Sequence, residues 1–258
     1  MDIDFQQPHR PCLVTELLQC CTVADTGKGE PETAEPGPGF FWGLTVSKRI
    51  EALLTLATSG GAEGLTVQLH CAYPACGELV EIDISLLEIT TMLPPGEDTA
   101  AIAVQVRDSR YLFRKPTGND QLRWLKGSFE NEGAVVSEMI RTLQVPPDEP
   151  GKESGELSDG PFSPDWLTAV DEGMKAADPL VHFNLTLYCP ACQKESTSNI
   201  DLENIATGKL QKIQSGLLHT VHRLASRYHW SEQQIFAVTP QRRTKYLALM
   251  DGEDHFGM

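Results

Sequence analysis

The sequence predicts an α+β fold in which two cysteine-bearing β-hairpins are surrounded by helices and followed by a helical C-terminal region. Two cysteine pairs each follow an apolar run with strand-like composition, at 65–69 and 183–187. Most of the remaining chain has the apolar periodicity and capping residues of helices. The 258 residues, 40% of them hydrophobic, suffice for one large domain or two small ones.

Each cysteine pair has the sequence context of a zinc knuckle, a tight turn that points two thiolates at one metal ion. Cys189-Pro-Ala-Cys192 has the two-residue spacing typical of a ribbon knuckle, whereas four residues separate Cys71 from Cys76. A polar return ending in Ile-Asp follows each pair, so the two segments resemble a degenerate internal duplication. Gly77 stands where a positive φ is often wanted, and Gln193 takes that place in the second knuckle.

Two knuckles together would complete a closed site of four thiolates for one structural zinc, with Cys71, Cys76, Cys189 and Cys192 as the predicted ligands. Because 112 residues separate the pairs, the alternative is that each nucleates its own hairpin. We favour the shared site, since a site with two ligands would be incomplete.

Three other interpretations of the cysteines remain open. His70 could replace a thiolate in the wider first knuckle. A redox dithiol is disfavoured because no helix pattern follows Cys-x-x-Cys, as it does in thioredoxin-like proteins, and free buried thiols are the third possibility. The remaining cysteines resemble small apolar residues on a short helix and are predicted not to be ligands: Cys12, Cys20 and Cys21.

Two segments rich in glycine, proline and acidic residues, 24–39 and 144–165, divide the chain. The predicted organisation is an N-terminal helix and flexible linker (1–39), a first knuckle with flanking helices (40–143), an acidic linker (144–165), a second knuckle packing with the first (166–204) and a C-terminal helical region (205–258).

Capping residues and apolar spacing place the individual elements. Ser47 is predicted to be the N-cap of a helix with Ile50, Leu53, Leu54 and Ala57 on one face. The remaining elements before the second knuckle are helices at 11–23, 120–124, 135–143 and 164–177, strand-like runs at 100–106 and 111–117, and a turn back toward helix at 85–92.

The C-terminal region is predicted to form three helices. A long amphipathic helix runs from about Leu202 or Gly208 to Tyr228. Ser231 and Gln234 form a capping box for a short helix, and Thr239-Pro240 supplies an N-cap and a first-turn proline for the last helix.

Charge is distributed unevenly along the chain. Residues 205–250 contain seven basic residues and one acid, Glu232, so they carry +6, whereas the rest of this −15 chain carries −21. A basic face that docks onto an acidic protein partner is one interpretation, and a solvated helical face is the other. The predicted partner-binding residues are Arg223, Arg227, Arg242, Arg243 and Lys245.

The composition also argues against several classes of protein. The net charge opposes general nucleic-acid binding. The N-terminus lacks the apolar core of a signal peptide, and no apolar run approaches a membrane span, so a cytoplasmic protein is expected. No phosphate-binding glycine loop, catalytic triad order or nucleophile elbow is present, which predicts neither an enzyme nor a small-molecule substrate.

Several blocks of the chain resemble a family of zinc-ribbon proteins from the tail and baseplate gene clusters of contractile phages and phage-like contractile injection systems, in particular the T-even baseplate-hub group. The most specific block runs from His219 to Ile235 (HTVHRLASRYHWSEQQI) and continues as PQRRTKYL at 240–247. The other blocks are WGLTVS from Trp42, LHCAYPACG from Leu69, FRKPTGND from Phe113, ADPL from Ala177 and LYCPAC from Leu187.

The resemblance covers about 40–90, 110–125 and 170–250. It implies a structural or assembly protein of a baseplate that contacts other tail proteins, with no enzymatic activity. Such a protein is expected in the bacterial cytoplasm during assembly, and the finished particle is a further expected location. The chain departs from the family pattern in the Cys-x4-Cys spacing and in Gln193. A zinc-ribbon regulator that binds nucleic acid is the alternative function, favoured only by the ribbon and the basic C-terminal region.

Overall fold

The computed structural model describes residues 2–21, 37, 39–59, 64–85, 89, 101–146, 157 and 162–254. These residues form nine helices and three two-stranded antiparallel sheets, in agreement with the predicted α+β class. Most of the predicted linkers 24–39 and 144–165, and the predicted turn toward helix at 85–92, lie outside the described residues.

The elements follow one another along the chain. The helices are α1 Arg10–Cys21, α2 Phe40–Gly43, α3 Val46–Thr58, α4 Gly118–Lys126, α5 Glu132–Leu143, α6 Pro164–Ala177, α7 Leu202–Tyr228, α8 Glu232–Ala237 and α9 Pro240–Asp254. The strands are β1 Gly64–His70, β2 Leu79–Ser85, β3 Ile102–Val106, β4 Ser109–Phe113, β5 Phe183–Tyr188 and β6 Glu195–Ile200. Each sheet is a hairpin: β1 pairs with β2, β3 with β4 and β5 with β6.

The chain divides into two compact units, Ile3–Thr207 and Gly208–Met258. The first unit contains all three hairpins and helices α1 to α6. The second contains most of α7 together with α8 and α9. Among the described helices, none is both long enough and apolar enough to cross a bilayer.

A buried arginine connects the N-terminal helices of the first unit. The Arg49 side chain on α3 donates from Nη2 to the Pro11 carbonyl oxygen at 2.6 Å and to Thr15 Oγ1 at 2.8 Å, which ties α3 to α1. Its guanidinium also lies over the Trp42 ring, 5.0 Å from the centroid. Gly118 at the start of α4 makes room for it, because a Cβ there would lie 2.0 Å from Arg49 Nη1. Burial lowers the pKa of this arginine, since desolvation penalises the charged form.

The predicted N-cap of α3 is wrong by two residues. Thr45 caps the helix, with its side-chain oxygen accepting a hydrogen bond from the Lys48 N–H. Ser47 is buried inside the first turn, and its hydroxyl donates to Asp178 Oδ1, 131 residues later in the chain. A serine near a helix start is a good capping candidate by sequence alone, but here a tertiary partner recruits it.

The start of α4 is held by a dense polar network around Asp120. Thr117 and Asp120 form a capping box. Arg114 donates to both carboxylate oxygens of Asp120, at 2.5 and 2.8 Å. Burial opposes ionisation of this carboxyl, but the bonds from Arg114 and Thr117 outweigh it and hold the pKa of Asp120 below its usual value. The network fixes the loop between β4 and α4.

An apolar cluster packs the β3–β4 hairpin against two helices. Its buried members come from the hairpin, α5 and α6: Ile102, Val104, Val106, Phe113, Ile140, Leu143 and Val170. Gly173 allows α6 and β3 to approach closely, because a Cβ at this position would lie 2.6 Å from Val104 Cγ2. The Trp166 ring on α6 stacks on Phe162 and meets Tyr111 edge to face, so aromatic contacts extend the cluster.

The second unit is a small helical assembly. Leu224 on α7 and Ile235 on α8 are fully buried. Three aromatic rings lie together at the end of α7, with Trp230 5.0 Å from Tyr228 and 5.1 Å from Tyr246 between centroids. The predicted capping box between Ser231 and Gln234 is present at the start of α8. His229, at φ 55°, turns the chain between the two helices.

Candidate metal centre

The two cysteine hairpins share one register. In each hairpin the residue before the first cysteine pairs with the third residue after the second cysteine: His70 with Leu79, and Tyr188 with Glu195. Apolar residues at two-residue spacing place Leu69 and Leu187 on the same face as the cysteine that follows each strand by one position. The duplication predicted from the sequence therefore extends to strand pairing.

The turns also match, although the first is two residues longer. Cys71 N–H donates to the Glu78 carbonyl at 2.8 Å, and Cys189 N–H donates to the Lys194 carbonyl at 3.0 Å. Both acceptors lie two residues after the second cysteine of their pair. The extra residues of Cys-x4-Cys form a local turn inside this frame, with Cys76 N–H donating to the Tyr73 carbonyl at 2.9 Å. The wider spacing consequently leaves the closing hydrogen bond of the knuckle intact.

Each knuckle ends on a residue in the left-handed region. Gly77 has φ 59° and Gln193 has φ 58°, the same conformation at equivalent positions. Glycine adopts it without a steric cost, whereas for a residue with a Cβ it costs roughly 1 kcal/mol. The demand for a positive φ at both positions was predicted correctly from the sequence, with Gln193 as the less favourable occupant.

The two hairpins bring all four predicted ligands together. The Sγ atoms of Cys71 and Cys192 are 3.7 Å apart, and those of Cys76 and Cys189 are 3.8 Å apart. All four sulfur atoms lie within 4.8 Å of one another. A tetrahedral site with metal–sulfur bonds of about 2.3 Å requires sulfur–sulfur separations of about 3.8 Å. The four thiols can therefore hold one metal ion, and these distances are too long for disulfide bonds.

Apolar packing and cross-hairpin contacts surround the cluster. Cys71 and Cys189 are buried and Cys76 and Cys192 are half-buried, against a shell formed by Leu69, Val80, Ile82 and Leu187. Tyr73, in the first turn, donates its hydroxyl to the Glu195 carbonyl at 3.2 Å, and Lys194 Nζ lies 4.5 Å from its ring centroid. These contacts join the two hairpins in addition to the cysteine cluster, and they help to hold the four sulfur atoms in place.

Backbone donors and crowding set the acidities of these thiols in opposite directions. The N–H groups of Cys192 and Ala191 point at Cys189 and lower its pKa to about 7. For Cys71 the Tyr73 N–H acts in the same direction, but burial and the three neighbouring thiols outweigh it and raise the pKa to about 12. Cys189 therefore forms a thiolate more readily than Cys71.

The alternative ligand His70 and the three cysteines predicted not to be ligands lie outside the cluster. Within the described ranges, the four cysteines are the one group of His, Cys, Asp or Glu side chains close enough to share a metal ion. His70 Nδ1 is 3.1 Å from the Gly77 carbonyl oxygen, a partner inside its own hairpin. Cys12, Cys20 and Cys21 lie on α1, where Cys20 and Cys21 are exposed and Cys12 is half-buried.

The predicted partner-binding residues all lie in the second unit, where Arg223, Arg242 and Arg243 make identified internal contacts. Arg223 pairs with Asp251. Arg242 lies over the Tyr246 ring and Arg243 over the Phe236 ring, at 5.9 and 5.5 Å from the centroids. Arg227 and Lys245 are exposed. The aromatic stacking of Arg242 and Arg243 was missed from sequence, although the i,i+4 spacing of Arg242 and Tyr246 on a helix was a usable signal.

Comparison of the chain with protein-family models, with curated proteins and with solved structures finds no match in any of the three.

Proposed function

We propose that this chain is a non-enzymatic structural or assembly protein of a contractile-tail baseplate, from a phage or a phage-like injection system, in which one structural zinc ion ties two knuckle hairpins together. The observation that carries the zinc assignment is the cluster of four thiols at separations close to those of a tetrahedral site. A soft, all-thiolate donor set suits zinc among the common divalent metals.

The geometry favours a structural role for that ion. Catalytic zinc sites keep one position open for water or substrate, whereas four protein thiolates leave none. The ligands come from two separate hairpins, so the ion would act as a cross-link between them. The baseplate assignment is supported by the sequence blocks around Trp42, Phe113 and His219 that resemble the contractile-tail family.

Metal analysis tests the zinc assignment directly. The purified protein should contain close to one zinc per chain. Cys189→Ser should lose the metal and the cooperative unfolding of the first unit, because metal-binding free energy here is folding free energy, about 10 kcal/mol or more in small sites. Replacing Cys12, Cys20 and Cys21 together with alanine is the matched control and should retain the zinc. A metal-free parent that unfolds cooperatively would contradict the assignment, as would iron in place of zinc.

The baseplate role is tested by charge reversal in the second unit. Replacing Arg242, Arg243 and Lys245 with glutamate should block co-purification with tail components and reduce sheathed particles seen by electron microscopy. Since Arg242 and Arg243 stack on aromatic rings, Lys245→Glu alone is the variant that leaves the internal contacts intact. Circular dichroism should show the same helix content for all variants. Two results together would favour the nucleic-acid-binding regulator instead. The triple variant would assemble normal particles, and the parent would bind duplex DNA tightly while the variant did not.

A further inference from the structure

The first knuckle differs from the second by an insertion of two residues. Cys71-Ala-Tyr-Pro-Ala-Cys76 and Cys189-Pro-Ala-Cys192 share the sequence Pro-Ala-Cys, so the additional residues are Ala72 and Tyr73. The two hairpins have the same register, and the closing hydrogen bond of the knuckle is present in both. The insertion is therefore confined to the turn, and a knuckle of this kind closes without it.

The side chain of Tyr73 reaches from this insertion to the other hairpin. Its hydroxyl donates to the Glu195 carbonyl oxygen at 3.2 Å, and its ring centroid lies 4.5 Å from Lys194 Nζ. Glu195 is the first residue of β6. The Lys194 carbonyl accepts the closing hydrogen bond of the second knuckle from Cys189 N–H. One side chain of the first turn thus contacts the two residues at which the second turn returns to its strand.

The backbone of Tyr73 is bonded within its own turn. Its carbonyl oxygen accepts hydrogen bonds from Cys76 N–H at 2.9 Å and from Gly77 N–H at 3.1 Å. Its N–H points at the Cys71 thiol. Tyr73 is therefore connected to both cysteines of the first knuckle through its backbone and to the second hairpin through its side chain.

We propose that Tyr73 is a positioning residue for the metal centre: it docks the second hairpin on the first and so raises the affinity of the four thiols for the ion. This inference rests on the proposed structural zinc. A metal ion can bind all four thiols only where both hairpins lie together, so the apparent affinity scales with the fraction of metal-free molecules in that arrangement. The hydroxyl and ring contacts of Tyr73 form only in that arrangement and increase the fraction. The two additional residues then strengthen the site.

The zinc affinity of the purified chain, measured by competition with a chromophoric chelator at neutral pH, tests the proposal. Tyr73→Phe keeps the ring beside Lys194 and removes the hydroxyl, so it should weaken zinc binding by about two- to tenfold, the range expected for one hydrogen bond. Tyr73→Ala removes both contacts and should weaken binding by about tenfold or more. Tyr188→Phe is the matched control, because it makes the same chemical change at a 56% exposed tyrosine directly before Cys189, and it should leave the affinity unchanged.

Cobalt(II) in place of zinc distinguishes positioning from ligation. The thiolate-to-cobalt charge-transfer bands of the fully loaded protein should be the same in the parent and in Tyr73→Phe, because all four cysteines still bind the ion. A weaker affinity with an unchanged spectrum is the result expected of a residue that holds the ligands in place.

Deletion of Ala72 and Tyr73 tests the insertion itself. The resulting chain has Cys-Pro-Ala-Cys in both knuckles. If the regular spacing decided the affinity, this variant would bind zinc at least as tightly as the parent does. We expect it to bind about tenfold more weakly, as Tyr73→Ala does, because it loses the same contacts with the second hairpin.

Three results would overturn the inference while leaving the zinc site in place. They are unchanged affinity in Tyr73→Phe and Tyr73→Ala, an equal loss of affinity in Tyr188→Phe, and binding by the deletion variant as tight as that of the parent. If the deletion variant did not fold, as judged by circular dichroism, the two Tyr73 substitutions would decide. A parent that binds no zinc would reject the proposed zinc site and this inference with it.

Discussion

At the level of single residues, the two knuckles provide a natural comparison at one backbone conformation. Gly77 and Gln193 both follow the second cysteine of a pair, and their φ angles are 59° and 58°. Only the first is a residue for which this region is free of strain. Gly77 therefore closes the wider Cys-x4-Cys turn without strain, whereas Gln193 closes the Cys-x-x-Cys turn in a conformation that is unfavourable for it.

Gln193→Gly should therefore stabilise the metal-loaded protein, by up to about 1 kcal/mol. A compensating loss is expected from the greater freedom of glycine in the unfolded chain, so the net gain is smaller than the full steric relief. Gly77→Gln is the reciprocal variant and should destabilise by about 1 kcal/mol. Denaturant unfolding of the zinc-bound forms measures both. A destabilised Gln193→Gly together with a stabilised Gly77→Gln would mean that the left-handed turn does not limit the stability of the knuckles.

The single-residue features that could be predicted from the sequence are those that depend on neighbouring residues in the chain. The demand for a positive φ after each cysteine pair and the capping box at Ser231 follow from nearest neighbours, and both are present. Ser47 was misassigned because its partner, Asp178, lies 131 residues away in the sequence. Gly118 is explained by the close approach of the Arg49 guanidinium and the Trp42 carbonyl oxygen, contacts between distant segments that no local sequence pattern predicts.

At the level of elements, two glycines within helices have different surroundings: one faces open space and the other a packed side chain. Gly216 lies inside α7, and a Cβ at that position would meet no atom within 4 Å. Gly173 lies inside α6, where a Cβ would be 2.6 Å from Val104 Cγ2. The first glycine weakens its helix without any packing benefit, whereas the second permits the contact between α6 and β3.

Gly216→Ala should raise the free energy of unfolding by about 0.5 to 1 kcal/mol, because alanine loses less conformational freedom in a helix. Gly173→Ala, the same chemical change in another helix, should lower it by about 1 to 3 kcal/mol through overpacking. Thermal unfolding followed by circular dichroism distinguishes the two. If both variants shifted the transition in the same direction, helix propensity or packing alone would account for these glycines.

Most helices could be placed from sequence because their ends carry local signals. Ser163 and Pro164 fix the start of α6 at the predicted residue, and the apolar period places α7 through Tyr228. The four-residue helix α2 was missed, since it is too short to show a period. The pairing of β3 with β4 and its packing on α5 and α6 depend on contacts between distant segments, which periodicity does not specify.

At the scale of the whole molecule, the cysteine cluster joins segments that lie far apart in the chain. Cys76 and Cys189, whose sulfurs are 3.8 Å apart, are separated by 113 positions. The sequence identified the four residues because two cysteine pairs at knuckle spacing, each after a strand-like run, are typical of a four-thiolate metal site. That the two pairs meet was inferred only from the number of ligands a metal needs, and the contacts of Tyr73 with the second hairpin could not be foreseen.

Acidification should release the metal and destabilise the first unit. Each ligand binds as a thiolate, so protons compete with the ion and affinity falls as the pH falls. Stability conferred by the metal therefore falls with decreasing pH: it is present at about pH 7.5 and is lost as the pH drops toward about 5. A chelator at the higher pH should produce the same unfolding. A colorimetric zinc indicator measures the release of metal, and circular dichroism recorded on the same samples measures unfolding. Metal retained at about pH 5 with unchanged stability would contradict the four-thiolate site.

The position of the two knuckles along the chain also fixes the order of events during synthesis. The first knuckle leaves the ribosome as a half-site with two thiols, and its partners follow 113 residues after Cys76. At about 5–20 residues per second, about 6 to 23 s pass before Cys189 and Cys192 are made. In the proposed zinc-bound form, all four ligands are available only late in synthesis, so the thiols of the first hairpin have to stay reduced until the second hairpin has been made.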